Sequence, residues 1–282
     1  MGDTARWKIT LAYRGTAFHG FAAQPGMRTV AGDLADALAR LSRLETAPQI
    51  TCAGRTDAGV HASGQVIHVD LPNPLPSTRD EVVGPETLVR RLNRGLSSDI
   101  SVLDAEIVDE HFDARHSAIS RTYRYVIHEG VVADPLLEGI AWHVPQALDL
   151  RAMNQAIASF IGEHDFRAFC RRAPGSTAED PIMRRVISAG VRDASGSQGL
   201  QPSLGRLLVV DISAKAFCHQ MVRSIVGQVV EIGRHRSSAA DIVVLLRGGT
   251  REGAAQPAPS EGLCLVEVGY GQPGLPEVPV PS

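Results

Sequence analysis

The chain has 282 residues, an apolar fraction of 44% and a formal net charge of −3. This length suits one large domain or two modest ones, and the apolar fraction supports well-formed cores. No run of about 18 apolar residues is present, so the composition predicts no membrane-spanning segment. The first residues lead into a strand pattern and not into an apolar signal region, so no secretory signal is predicted.

The first half of the chain alternates strand and helix patterns with short connections, an order typical of an α+β protein. Apolar residues that fall on one face of an amphipathic helix recur from position 30, namely Val30, Leu34, Leu38, Leu41 and Leu44. Residues 64–71 alternate apolar and polar side chains as in a half-buried strand. The predicted elements are a strand at 7–13, a helix at 30–44, a strand at 64–71, a helix at 85–96 and a strand at 100–108.

The second half repeats this plan. Asp149 is the predicted N-cap of one helix, and a loop rich in Pro, Gly and charge spans 171–181. A Gly/Ser turn region is predicted at 195–205, between two strands. The predicted elements are a strand at 121–127, a helix at 150–161, strands at 185–192 and 207–216, helices at 219–233 and 239–247, and a strand at 263–270. We therefore expect an N-terminal α+β half at 1–112, a C-terminal α+β half at 113–270 and a Pro-rich tail at 271–282.

The negative net charge is by itself evidence against nucleic-acid binding, which usually leaves a basic footprint. The basic residues are almost all arginine, however, and they occur in clusters. These are Arg90, Arg91 and Arg94; Arg115, Arg121 and Arg124; Arg171 and Arg172; Arg184 and Arg185; Arg234 and Arg236. Because the planar guanidinium group suits phosphate, such clusters can line a basic groove on a mildly acidic protein. The alternative is that they form solvated faces.

Four cysteines lie far apart in the sequence, without a Cys-x-x-Cys pair: Cys52, Cys170, Cys218 and Cys264. This spacing argues against a zinc site and against a disulfide framework, and it suits a reducing cytoplasm. No phosphate-binding Walker loop and no metal-spaced set of His, Cys and Asp is found either. We expect neither a metal nor a cofactor.

Residues 54–61, of sequence Gly-Arg-Thr-Asp-Ala-Gly-Val-His, place a polar cluster on a loop that the strand at 64–71 anchors. Such a loop on a rigid scaffold is a common location for chemistry. Arg55 can hold the Asp57 carboxylate ionised, and an ionised carboxylate can act as a nucleophile or a general base. From the residues alone, a simple turn with a solvated arginine remains the alternative.

This eight-residue run resembles the active-site signature of the TruA family of tRNA pseudouridine synthases. Residues 121–125, Arg-Thr-Tyr-Arg-Tyr, are similar to a second motif of that family, in which the first tyrosine, here Tyr123, stacks on the target base. Residues 217–227 are similar to a third, whose arginine, here Arg223, pairs with the catalytic aspartate. A weaker match covers 261–265. Together the similarities run from about Ile9 to Tyr270.

The loop that follows the predicted strand at 7–13, called the early loop, departs from the family pattern. Arg14 stands where the family usually has Asp, Phe21 where it has Trp, and Ala22 where it has Gln. The retained residues are Tyr13, Gly15, Gly20 and Gln24. Substrate contacts that the family assigns to this loop are thereby in question, and Phe18 and Phe21 can equally be packing residues.

The resemblance implies two α+β halves whose antiparallel sheets join into one central sheet, with helices packed on it and the active-site cleft between the halves. It implies isomerisation of uridine to pseudouridine at positions 38, 39 and 40 of the tRNA anticodon stem-loop, by a homodimer and without a cofactor. Asp57 would attack C6 of the base or C1′ of the ribose, or act as a base in a glycal route. Tyr123 would stack on the flipped uracil, and Arg55 and Arg223 would keep Asp57 charged.

Two other classes of protein are considered. A glycosidase that hydrolyses its substrate typically needs two paired carboxyl groups, and no second acid is tied to the 54–61 loop. A catalytically silent RNA-binding protein of the same fold is the stronger alternative, because the early loop departs from the family pattern. The presence of Asp57, Tyr123 and Arg223 favours the enzyme.

Overall fold

The computed structural model describes residues 3–77, 83–172, 175, 180–196 and 205–271. These residues form ten β-strands and five α-helices, which confirms the predicted α+β class. The strands are β1 (Thr4–Tyr13), β2 (Thr51–Cys52), β3 (His61–Pro72), β4 (Ile100–Val108), β5 (Ala118–Glu129), β6 (Trp142–Val144), β7 (Gly162–Asp165), β8 (Met183–Asp193), β9 (Arg206–Ala214) and β10 (Leu263–Tyr270). The helices are α1 (Val30–Ser42), α2 (Pro85–Gly95), α3 (Leu150–Ala158), α4 (Met221–Gly233) and α5 (Ala239–Leu246).

The chain divides into two compact units. One comprises the described residues of Met1–Ser120 and Leu265–Ser282, and the other comprises those of Arg121–Cys264. Within the described ranges, no helix has both the length and the apolar character needed to cross a membrane.

The first unit is built around β1, which pairs antiparallel with β3 on one side and β4 on the other, so that Ile9 lies opposite both Ile67 and Ala105. β1 is the central strand of this trio, and its inward side chains are buried. Helix α1 begins at Val30 because the Thr29 side chain accepts a hydrogen bond from a backbone N–H of the first turn. This arrangement places the loop between β2 and β3 directly beside the end of β1.

The second unit contains the antiparallel strands β5, β9, β8 and β7 in that order, with the short strand β6 parallel to β5. Helix α4 is the most buried of its helices, and within it only Arg223 and Glu231 are not fully buried. The Asp149 side chain caps α3 by accepting a hydrogen bond from the Ala152 N–H, as predicted. The carboxylate-capped start explains why α3 begins at Leu150.

Most predicted elements are present, with differences at their ends. The strands expected at 100–108 and 263–270 have those bounds. The helix expected from 219 begins two residues later, since Gln220 has the left-handed φ of 65° and cannot be helical. The helix expected to reach 161 ends at Ala158. The short strands β2, β6 and β7 were not predicted, because two to four residues carry too little periodicity.

Parts of three predictions fall outside the described residues. Of the Pro-rich tail at 271–282, only Gly271 is described. The loop at 171–181 and the Gly/Ser turn at 195–205 are described only in part.

The expectation of no disulfide is wrong for one pair. Cys170 and Cys218 form a disulfide with Cα atoms 5.7 Å apart, although 48 positions separate them in the sequence. Distance along the chain says nothing of distance in the fold, and this pair has no Cys-x-x-Cys spacing to reveal it. Cys52 and Cys264 take no part in this disulfide.

Candidate active site

The signature loop connects β2 to β3, and its residues alternate between burial and exposure. Thr56 is 7% exposed, Asp57 is half-buried and Arg55 is exposed. The Val60 N–H donates a hydrogen bond to the Asp57 carbonyl oxygen at 3.2 Å, and Gly59 has a φ of 79°. That left-handed conformation requires glycine, so the second glycine of the motif closes a tight turn immediately after the aspartate.

A buried hydrogen-bonded trio holds the front of this loop. The hydroxyls of Tyr13 and Thr56 lie 2.7 Å apart, and the Gln65 side-chain N–H donates to the Gly54 carbonyl oxygen at 2.7 Å and to the Tyr13 hydroxyl at 3.3 Å. Tyr13 is 4% exposed and Gln65 is fully buried. Because buried polar groups that lose a partner are costly, the trio fixes the loop against the ends of β1 and β3.

The glycine-punctuated segment after β1 braces the same loop through its backbone. The Phe21 N–H donates to the Thr56 carbonyl oxygen at 3.0 Å, and the Gly15 N–H donates to Nδ1 of His61 at 3.0 Å. A Cβ at Gly15 would overlap the Val60 carbonyl group, and a Cβ at Gly20 would lie 2.9 Å from the Thr56 carbonyl oxygen. These contacts are closer than any side chain permits, so the segment serves as a backbone support.

The sequence left open whether Phe18 and Phe21 contact the substrate or pack inside the protein, and their burial bears on this question. Phe18 and Phe21 are 3% and 2% exposed, which supports the packing role for both rings. His61, the last residue of the signature, is also buried and accepts a hydrogen bond, so its ring belongs to the support.

The supporting roles of Gln65, Tyr13 and His61 were not predicted from the sequence. The signal that could have found them is the pairing of β1 with β3, in which Leu11 lies opposite Gln65 and Tyr13 opposite Ala62. A glutamine at an inward position of a buried strand needs a polar partner, and the carbonyl of the neighbouring loop is the available one.

Cys52, which precedes the loop, is not a rival nucleophile at neutral pH. Burial raises the pKa of its thiol to about 11, although the positive charge of Arg55 opposes this shift. The thiol is therefore protonated near pH 7, and the thiolate is the reactive form.

In the second unit, Tyr123 and Tyr125 share one face of β5, as predicted, but differ in their surroundings. The Tyr125 ring is completely buried, its hydroxyl donates to the Pro259 carbonyl oxygen at 2.8 Å, and burial raises its pKa. Tyr123 is 8% exposed, and its ring meets the Phe217 ring edge-on with centroids 5.1 Å apart. Tyr125 is thus a core residue, whereas Tyr123 packs against the residue that opens the 217–227 motif.

Arg223 lies in the first turn of α4 and is half-buried. Its Nε donates to the Ala258 carbonyl oxygen at 2.7 Å, and the Ala258 N–H returns a bond to the Arg223 carbonyl oxygen at 2.9 Å. Its charge also acts on the Tyr125 hydroxyl. Two of the predicted site residues, Arg55 and Asp57, therefore share one loop of the first unit, and the other two lie on neighbouring elements of the second.

No three His, Cys, Asp or Glu side chains within the described ranges are grouped so that they could hold a metal ion.

Comparison with known proteins identifies the class. Residues 156–271 match the family described as tRNA pseudouridine synthase. The chain is 42% identical over 268 residues to a tRNA pseudouridine synthase A of Frankia casuarinae, covering 94% of this chain and 89% of that protein. It is 39% identical over 269 residues to the one of Shouchella clausii, covering 95% of both chains. It is 38% identical to the one of Gloeobacter violaceus, covering 95% of this chain and 81% of that protein.

The matched family and the signature loop define a pseudouridine synthase. At these identities and this coverage, the chain belongs to the tRNA pseudouridine synthase A family, TruA, as the resemblance implied.

Proposed function

We propose that the protein isomerises uridine to pseudouridine at positions 38, 39 and 40 in the anticodon stem-loop of tRNAs. Family membership supports the reaction and the tRNA substrate. The observation that carries the proposal is the signature loop itself, which presents Asp57 half-buried on a turn clamped by Gln65 and Tyr13. A loop held this firmly positions a reacting carboxylate, whereas a solvated turn needs no such support.

The reaction requires the bond between C1′ and N1 of uracil to break and a bond between C1′ and C5 to form. The proton on C5 leaves, and N1 ends protonated, so atoms and electrons balance without a redox cofactor or an added reactant. Asp57 is the proposed catalytic residue, acting at C6, at C1′ or as the base of a glycal route. In each case an ionised carboxylate is the group needed.

Tyr123, Arg55 and Arg223 are the proposed substrate-binding residues. A base inside a helical stem or loop must leave its stack before it can react, which costs a few kcal/mol. The ring of Tyr123 offers a stacking surface for the extruded uracil, and aromatic stacking is a general device in RNA recognition. The guanidinium groups of Arg55 and Arg223 would hold the extruded nucleotide.

We further propose that the enzyme acts in the cytoplasm as a homodimer whose two subunits contact one tRNA. Family likeness supports both statements. Size-exclusion chromatography with light scattering tests the dimer, and a mass equal to one chain contradicts it.

Tritium release from C5 of uridine in tRNA tests the proposed reaction. The wild-type protein should release tritium to water and leave the base attached to its ribose. Asp57→Asn removes the charge at nearly constant volume and should slow release at least about 10³-fold, because the nucleophile is lost. Asp36→Asn is the matched control, since Asp36 is an exposed aspartate of α1 in the same unit.

Three outcomes are distinguished by this assay. Free uracil would indicate a hydrolase, and tRNA binding without tritium release would indicate the silent RNA-binding protein. Tritium release that persists in Asp57→Asn would show that the nucleophile assignment is wrong.

A further inference from the structure

A cavity of about 550 Å³ in the first unit is lined mostly by residues of helices α1 and α2. Five of the lining residues are arginines, namely Arg40 and Arg43 at the end of α1 and Arg90, Arg91 and Arg94 on α2. Of the described residues, no Asp or Glu lines the cavity. The chain as a whole has a net charge of −3, so this concentration of positive charge is a local feature. We call the cavity the arginine groove.

Three of these arginines can be reached from solvent. Arg40, Arg43 and Arg94 are exposed, and within the described ranges none of the three forms an ion pair or a side-chain hydrogen bond. Asp36 lies four positions before Arg40, a spacing at which a helical ion pair can form, but the structure has no such pair there. The three guanidinium groups therefore keep their donors for a ligand that enters the groove.

The other two arginines already have partners. Arg91 is half-buried, and its Nη1 donates to the Pro76 carbonyl oxygen at 3.2 Å. Arg90 also interacts with other groups. These two residues therefore help to form the wall of the groove, and a ligand would meet the three exposed guanidinium groups.

The backbone of Arg43 is a second sign that this groove has a function. Arg43 ends α1 with a φ of 53° and a ψ of 40°, in the left-handed region, and its N–H donates to the Ala39 carbonyl oxygen. Glycine is the residue that adopts this conformation at least cost, and the capping hydrogen bond needs no side chain. A larger residue kept in such a conformation is typical of functional positions. The side chain of Arg43 therefore serves something other than the cap.

The arrangement of the guanidinium groups indicates what kind of ligand fits. Arg40 and Arg43 come from the end of α1, whereas Arg94 comes from the last turn of α2. A chain with regularly spaced negative charges can meet groups from both helices at once, and a single small anion cannot. The planar guanidinium group also matches the oxygens of a phosphate, to which it can donate two parallel hydrogen bonds.

We propose that the arginine groove binds the phosphodiester backbone of the tRNA substrate. This inference rests on the proposed function, because it takes that RNA as the ligand. An RNA strand carries a negative charge at every phosphate, so it supplies the repeated acceptors that Arg40, Arg43 and Arg94 require. Such contacts read no base, but they fix how the RNA lies on the unit that carries Asp57.

The affinity for tRNA, measured at several salt concentrations, tests the arginine groove. Arg40→Gln and Arg94→Gln should each weaken binding about threefold to tenfold. Each should also reduce the slope of log affinity against log salt by about 1, because one phosphate contact is lost. Arg247→Gln is the matched control, since Arg247 is an exposed arginine at the end of α5, outside the groove, and should keep the wild-type slope.

Arg43→Gly separates RNA binding from structural support. Glycine adopts the φ of 53° without the penalty of a Cβ, so the urea midpoint of unfolding should not fall, whereas the affinity for tRNA should. Arg40 and Arg94 lie in the last turns of their helices, where a positive charge also stabilises the helix dipole. A role in the helices alone would lower the urea midpoint of the Gln variants and leave all salt slopes unchanged, which would overturn the groove as an RNA site.

Tritium release from tRNA gives a second measurement. None of these arginines is a proposed catalytic residue, so the Arg40→Gln/Arg94→Gln variant should raise KM and keep the wild-type kcat. A polyglutamate peptide tests the other class of polyanion. If the Gln variants lose polyglutamate binding but keep the tRNA affinity of the wild type, the groove takes an acidic protein segment and the proposal is wrong.

The groove and the proposed reaction can fail separately. Unchanged tRNA affinity and slope in Arg40→Gln, Arg43→Gly and Arg94→Gln would overturn the groove, whether or not the wild type releases tritium. Losses no larger than that of Arg247→Gln would overturn it as well. A wild type that releases no tritium, but whose salt slope falls in the three variants, would support the groove and refute only the proposed reaction.

Discussion

Substitution of Gly15 by alanine tests whether the early loop positions the signature loop and its proposed catalytic residue, Asp57. The Cβ of alanine would lie 2.5 Å from the carbonyl carbon of Val60 and 2.9 Å from that of Gly59. Normal carbon–carbon contact is about 3.5–4.0 Å, so the two segments must separate by about 1 Å. Both neighbours are backbone atoms, which no side-chain rotation can move. The strain should cost about 1–3 kcal/mol of folding free energy.

The displaced segment lies two to three residues from Asp57, so the reaction should suffer more than the fold. A misplacement of about 1 Å costs about 10²-fold in rate, and we expect that loss in the turnover of tritium release. Urea unfolding at the assay temperature gives the folded fraction, by which the rate is divided. Gly95→Ala is the control, because a Cβ at Gly95 meets no atom within 4 Å. A folded Gly15→Ala protein with wild-type turnover would refute the positional argument.

Two further predictions concern stability. Burial, and then the charge of Arg6, lowers the pKa of His68, whose Nδ1 accepts a hydrogen bond from the Ala114 N–H at 2.9 Å. The unfolded chain therefore binds a proton more readily than the folded chain. The stability that neutral His68 contributes is complete above about pH 6.5 and is lost as the pH falls through the lowered pKa. Between pH 7 and pH 5.5, the urea concentration at the unfolding midpoint should fall less in His68→Asn than in the wild type or in the control His111→Asn. Equal falls would contradict the assignment. Reduction of the Cys170–Cys218 disulfide, which closes a loop of 48 positions, should lower the free energy of unfolding by about 2–4 kcal/mol. A Cys170→Ser/Cys218→Ser variant should show no response to the reductant, and a response equal to that of the wild type would contradict the assignment.

Much of the fold could be predicted from the sequence because its elements are long and periodic. Strand β10 and strand β4 are regular enough that even their ends were predicted. His68 shows the limit of this reasoning. In an alternating strand it was expected on the polar face, yet it is 8% exposed because the Ala114 N–H supplies its partner from a distant loop. Periodicity reports which side chains are polar, not which polar side chains find buried partners.

In the candidate site, too, some features could be predicted from the sequence and others depend on contacts formed only in the fold. The proposed catalytic residue, Asp57, lies in a contiguous run of eight residues, so a sequence motif is enough to point to it. Its support could not, because Tyr13 lies 43 positions before Thr56 and reaches that residue and Gln65 only through the register of β1 with β3. The disulfide escaped prediction for the same reason, since Cys170 and Cys218 come together only through the placement of α4.

The departures in the early loop can now be weighed against the contacts that the loop makes. Of the three altered residues, Phe21 reaches the signature loop through its backbone N–H, which any residue except proline provides. Arg14 uses its backbone N–H as well, on the Asp99 carbonyl oxygen at 2.9 Å. A substitution would break the contact where the side chain, or its absence, makes it.

Three positions at which a side chain, or its absence, makes the contact keep the family residue. Tyr13 contributes its hydroxyl to Thr56, Gly15 has no room for a Cβ, and Gly20 combines a φ of 96° with close approach to the Thr56 carbonyl oxygen. Two of the three changes, Arg14 and Phe21, therefore fall where a backbone N–H makes the contact, and Tyr13, Gly15 and Gly20 are retained where a hydroxyl or the absence of a Cβ makes it. A protein that had lost catalysis would have no reason to preserve this division, so the structure of the early loop favours an active synthase over a silent RNA-binding protein.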